Sequence, residues 1–158
     1  MILRPGAFFE GFYAALETIR HEGVVADSVA PDATLPMIAT ADVAQVAAGA
    51  LRERNWSGVV VRELLGPRDL TGAAAAAAIG AAIGQPVQYV QLPDEEVVAI
   101  LTDAAGFSPD FAAVFLEFTQ ALSEGRLHSL EGRNASNTTP TEFEEFAAEL
   151  AHAYAATA

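Results

Sequence analysis

Apolar residues recur at helical spacing in three stretches of the chain. Phe9, Phe12, Leu16 and Ile19 would share one side of a helix, predicting one from about Ala7 to Arg20 and closed by Gly23. Phe8 flanks that stripe, while Glu10, Tyr13 and Glu17 mark another face. Phe111, Val114, Phe115 and Phe118 form a second stripe, opened by the cap-and-proline start Ser108-Pro109-Asp110 and stopped at Gly125. Phe143, Phe146, Leu150 and Tyr154 predict a closing helix, with Thr139-Pro-Thr-Glu142 reading as a capping box.

Between these lie short β-prone runs. Met1–Pro5 reads as a strand entering a turn at Gly6, Val24–Val29 and Leu35–Ala39 as two more, and Val87–Leu92 as a late one. The run Val59-Val-Val-Arg-Glu-Leu-Leu65, stopped by Gly66-Pro67, predicts a buried parallel strand. Thr40 would cap a helix over Ala41–Arg52, with Asp42 as a first-turn acid favoured by the helix dipole. Thr71 would cap an alanine helix reaching Gly84, and Pro93 would start one running to about Ala104. Residues 126–138 are polar and irregular. The order predicts a single α/β domain over residues 1–158, with a few mostly parallel strands and about six helices. About three sheet strands are too few for a doubly wound sheet to cover both its faces, so either the domain is unusual or its sheet is completed by something else.

Composition narrows the classes. The chain has 158 residues, is 52% hydrophobic and 18% charged, and lacks cysteine, which excludes thiolate chemistry and disulfides. All eight basic residues are arginine, and the net charge is −13. Such an acidic surface promotes solubility and repels phosphate backbones and anionic membranes, so neither nucleic acid nor membrane is an expected partner. The longest apolar run, Gly72–Gly84, is too short to span a bilayer, and the N-terminus has no signal-peptide pattern, so a cytoplasmic location is expected. Without lysine there is no Schiff-base chemistry. The histidines at 21, 128 and 152 have no metal-ligand spacing, so no metal site is expected.

Several segments, in order, resemble NmrA-like proteins, atypical members of the short-chain dehydrogenase/reductase superfamily. Leu3-Arg-Pro-Gly-Ala-Phe-Phe-Glu-Gly-Phe12 is similar to the segment following their central strands, and Pro36-Met-Ile-Ala-Thr-Ala-Asp-Val-Ala44 to a strand-to-helix junction where an aspartate is usual. Glu63-Leu-Leu-Gly-Pro67 with Leu70-Thr71 resembles their last core strand and the helix after it. Gly84-Gln-Pro-Val-Gln-Tyr-Val90 resembles their short late strand, and Thr139–Phe146 their C-terminal helix. Asparagine is frequent in that family where this chain has Gly11, and a basic residue where it has Ala41.

The resemblance is to the C-terminal half. It implies a partial Rossmann-like fold and a substrate-side portion of an NAD(P)-dependent oxidoreductase. The glycine-rich turn that holds the pyrophosphate in that family has no counterpart here, since Gly72, Gly80 and Gly84 punctuate an alanine helix, and Gly80 and Gly84 are read as close-packing positions. No cofactor is therefore expected to bind this chain alone, and NAD(P) only where a nucleotide-binding Rossmann half completes it. The Tyr-x-x-x-Lys pair of the superfamily is likewise absent.

The resemblance also places the aromatic segment beside a substrate pocket. Phe8, Phe9, Phe12 and Tyr13 are candidate substrate-binding residues for a hydrophobic or aromatic small molecule, although such a stripe equally serves as core. Arg4 is a candidate for a ligand carboxylate or for pairing with a nearby acid. Glu10, Tyr13 and His128 are the catalytic candidates, the first as a buried acid or base and the last on a loop able to cover a pocket. Three roles remain open: the substrate-side part of a reductase, a cofactor-independent isomerase, cyclase or dehydratase, and a non-enzymatic regulatory or interaction domain. In each, an uncovered sheet edge predicts a homodimer or a missing Rossmann half as partner.

Overall fold

The computed structural model describes residues 1–156. Its strands are short and lie in three small sheets. β1 (Ile2–Pro5) runs parallel to β5 (Val61–Leu64), in register from Ile2 opposite Val61 to Pro5 opposite Leu64. β2 (Ala7–Phe8) runs parallel to β4 (Thr34–Ile38), whose other edge pairs antiparallel with β6 (Asp69–Thr71). β3 (Val24–Asp27) runs parallel to β7 (Gln88–Gln91). The helices are α1 (Leu16–Glu22), α2 (Thr40–Glu53), α3 (Gly72–Ile83), α4 (Asp94–Ala99), α5 (Pro109–Ser123) and α6 (Phe143–Ala156). The expected mixed α/β fold with mostly parallel pairing and six α-helices is what the chain forms.

The core sits where α3, α6 and the Phe9 segment meet the sheets. Alanines 75 and 76 and Ile79 let α3 come close to α6, whose Phe146, Ala147 and Leu150 are buried against it. Phe9 stands edge-on to Phe143 with ring centroids 5.1 Å apart, and Phe12 does the same at 5.4 Å. Tyr89 lies over Gly72, and its hydroxyl donates to the Val29 carbonyl at 2.7 Å; burial, with the Asp27 charge, pushes its pKa up.

Four elements differ from the sequence reading. The helix expected from Ala7 opens as strand β2, continues as a 3₁₀ helix over Phe9–Ala15 and becomes α-helical only at Leu16. Pairing of Ala7 and Phe8 with Met37 and Ile38 outweighs helix propensity, which Gly11 already lowers. Three-residue spacing then brings Phe9 and Phe12 onto the same ring of Phe143. The run 59–65 is a strand only over Val61–Leu64, with Glu63, Leu64 and Leu65 buried but Val59 and Val61 exposed. β6 carries a single buried apolar residue, Leu70, too little to show in an alternation pattern.

The fourth difference is the capping box, which does not form. Thr139 donates its hydroxyl to the Leu65 carbonyl at 3.2 Å, Glu142 pairs with Arg68, and α6 starts at Phe143. Thr141 instead meets Asp42, whose carboxylate accepts from its amide at 3.1 Å and from its hydroxyl at 2.8 Å. Asp42 is thus buried and joins the start of α2 to the start of α6, beyond the dipole role expected of it. The helix after Pro93 ends in a π-helical turn over Ile100–Ala104. Gly80 packs against backbone at 85–87, as a packing glycine should, whereas Gly84 is the left-handed cap of α3.

Candidate functional site

The C-terminal ends of β1 and β5 reach one side of an open cleft of about 320 Å³. Arg4 and Pro5 come from the end of β1, Gly6 and Ala7 from the turn into β2, Glu63 from β5 and Leu65 from just after it. Phe118 and Leu122 on α5, with Leu127, supply an apolar wall, and His128 and Ser129 close the rim. A concave apolar surface with a few convergent polar groups is the usual form of a small-molecule site.

Glu63 organises this rim. Its carboxylate accepts from the Ser129 hydroxyl, from the Leu130 amide at 3.0 Å and from the Glu131 amide at 3.3 Å. The Ser129 hydroxyl, then the Leu130 amide, hold the carboxyl below its ordinary value of 4.5 against the opposing effect of burial, helped by the Glu131 amide and the Arg4 charge. The segment 126–138, expected as a flexible cover, is irregular but tied down. The Leu65 amide donates to Asn137, the Thr139 amide donates to Leu65, and buried Asn137 donates to the Gly132 carbonyl at 2.7 Å. A carboxyl with a depressed native pKa stabilises above its unfolded value and loses that contribution as pH falls through the native value. Residues 129–131 are therefore expected to hold at neutral pH and to loosen in acid, as the pH falls below the ordinary carboxyl value of 4.5 and through the lowered native one. Glu63→Gln should loosen them already at pH 7, seen as lower amide-exchange protection at Leu130 and Glu131 with α3 and α6 unchanged; equal protection in the variant would contradict this.

A second apolar cavity of about 490 Å³ lies on the other side of β2, lined by Phe8, Phe12, Ala15, Val25 and Ile100 among others. The sequence candidates thus do not converge on one place. Arg4 and His128 share the first cleft, and Phe8 and Phe12 border the second. Phe9 is 1% exposed and belongs to the core, so its side chain reaches neither space. Tyr13 lies edge-on to Phe146 at 5.4 Å, outside both cavities. Glu10 accepts from the Thr40 amide at 2.9 Å and hydroxyl at 2.6 Å, capping α2, while its other oxygen is buried without a partner. Among the cleft residues, Glu63, Ser129 and Phe118 were not singled out as site residues from the sequence. A charged pair inside an otherwise apolar strand run was the available signal for Glu63.

Two helix N-termini are already engaged within the chain. The Glu10 carboxylate already occupies the N-terminus of α2, and at α3 the Thr71 hydroxyl accepts from Ala74 while Gly72 is covered by Tyr89. Among the described residues no group of His, Asp or Glu is placed to hold a metal ion, and no helix is long and apolar enough to cross a membrane.

No family model matches the chain. It is 27% identical over 153 residues to festuclavine dehydrogenase of Aspergillus fumigatus, covering 93% of this chain and 52% of that protein. It is 31% identical over 154 residues to agroclavine dehydrogenase of Claviceps fusiformis, covering 92% and 51%. The Escherichia coli NADPH-dependent quinone oxidoreductase, solved with NADPH, superposes with a TM-score of 0.71 at 23% identity, covering 93% of this chain and 52% of that one. The chain spans about half the length of the curated relatives it matches. Over that half it carries part of a Rossmann-like reductase fold and is short-chain dehydrogenase/reductase-like, as the NmrA-like segments of its sequence indicate.

Proposed function

We propose that the chain is the substrate-side, ligand-binding portion of an NAD(P)-dependent oxidoreductase of this type, taking a hydrophobic or aromatic small molecule in the cleft between the end of β1 and α5. One observation carries the reading: polar groups of Arg4, His128 and Ser129 converge on an apolar wall at the ends of two parallel strands. His128 is the proton-handling candidate that this cleft retains. Its Nδ1 lies 3.3 Å from the Gly125 carbonyl, which can only accept, so a neutral ring keeps Nε2 free to accept a proton from a ligand. Glu10 and Tyr13 lie outside the cleft and have no part in this proposal.

The nucleotide belongs to a second, Rossmann-type part, where bound it supplies hydride chemistry. The free edge of β1, a strand that carries exposed Ile2, is where that part would add a strand, or a second copy of this chain in isolation. Titrating the chain alone into NADPH tests the division of labour. The cofactor's fluorescence is expected to stay unchanged at micromolar protein, and saturable enhancement would overturn it. A chain that turns over an apolar ligand with no nucleotide present would favour the cofactor-independent role instead.

A further inference from the structure

Six of the eight arginines are engaged. Arg20 pairs with Glu17, Arg68 with Glu142 and Glu144, Arg126 with Glu124, and Arg133 with Asp69. Arg54 and Arg62 donate to the carbonyls of Leu51 and Ser136. Only Arg4 and Arg52 make no hydrogen bond or ion pair among the described residues. Arg52 sits in the last turn of α2, where the helix dipole favours a cation. Arg4 is exposed near the end of β1 and lines the cleft.

Its state is the more informative because a partner is at hand. Register places Arg4 opposite Glu63 on the neighbouring strand. Yet Glu63 forms no ion pair with it and directs its oxygens to Ser129, Leu130 and Glu131. In a chain with 21 acidic residues, the exposed Arg4 side chain lines the cleft and makes no hydrogen bond or ion pair with the described residues. Resting on the cleft being the ligand site, we infer that its ligand is an apolar small molecule bearing a carboxylate or comparable anionic group, with Arg4 as the countercharge. Phe118, Leu122 and Leu127 take the apolar body, and Arg4 fixes which end enters.

Two probes that differ by one anionic group test this: 8-anilinonaphthalene-1-sulfonate and neutral N-phenyl-1-naphthylamine, titrated by fluorescence into the full chain. The wild type is expected to bind the sulfonate about tenfold or more tightly than the neutral probe, as a charged hydrogen bond allows. Arg4→Gln should remove that preference and leave the neutral probe within about twofold, a control that the variant is folded; Arg4→Lys should keep part of the preference. A sulfonate affinity unmoved by Arg4→Gln, or equal losses for both probes, would overturn the assignment of Arg4. Leu122→Trp separates the two levels of the claim. It should expel both probes from the cleft, and if neither is expelled, the cleft is not the ligand site and the inference falls with it.

Discussion

Phe9→Ala is expected to destabilise the protein by about 3–5 kcal/mol, a large part of the stability of a domain this size. The ring is 1% exposed and is held by Phe143 at 5.1 Å and Phe146 at 5.8 Å. Its removal therefore loses both the transfer energy of a phenyl group and two aromatic contacts, and leaves a void between rigid neighbours. The 3₁₀ helix over Phe9–Ala15 is short and draws its stability from those contacts, so this wall of the second cavity should loosen with the fold. Tyr13→Ala provides the contrast: at 37% exposure and with one ring contact, it should cost about 1 kcal/mol. Chemical denaturation of the two variants checks this, and a Phe9→Ala loss no larger than that of Tyr13→Ala would contradict the packing described.

Gly6→Ala is expected to cost about 3 kcal/mol and to abolish ligand binding in the cleft. A Cβ on Gly6 would lie 1.8 Å from the Pro36 carbonyl oxygen, and that atom is backbone of β4, so no side-chain rotation relieves the clash. Gly6 is also tied to the Leu64 carbonyl by its amide at 3.0 Å. The β1–β2 connection can therefore yield only by breaking its link to β5 or by displacing β4, and Gly6, Pro36 and Leu35 all border the cleft. Gly11→Ala is the matched control, since a Cβ there meets nothing within 4 Å; its stability should change by no more than about 0.5 kcal/mol. Equal behaviour of the two variants in thermal melts would contradict the close approach at Gly6.

These positions show what the sequence made legible. Helices α3 and α5 were readable because their Thr71 and Ser108 caps are local signals, and α6 because its apolar stripe is; α2 forms where expected, but Thr40 is its first residue and not its cap, its hydroxyl donating to Glu10 while Ala39 precedes the helix. The mostly parallel pairing followed from the alternation of helices with β-prone runs. The Phe9 segment was misread as a regular helix because its stripe has helical spacing, while its start is decided by pairing with β4, some 30 residues away in sequence. β6 and the Asp42–Thr141 link were invisible for the same reason: both are tertiary, and Thr139 and Thr141 match a local capping pattern that the fold uses otherwise. The candidate site was legible in part. Arg4 and His128 share one cleft, but nothing local foretold that Glu63 binds the loop between them, or that Phe8 and Phe12 face a separate cavity.

The central claim is that a ligand binds between Arg4, α5 and the Glu63-held loop. Titrating N-phenyl-1-naphthylamine into the isotope-labelled chain and following amide chemical shifts tests it most directly. Saturable shifts centred on Phe118, Leu122, Leu127 and Ser129 are predicted; shifts centred on Phe8, Phe12 and Ile100, or none at saturating probe, would contradict it.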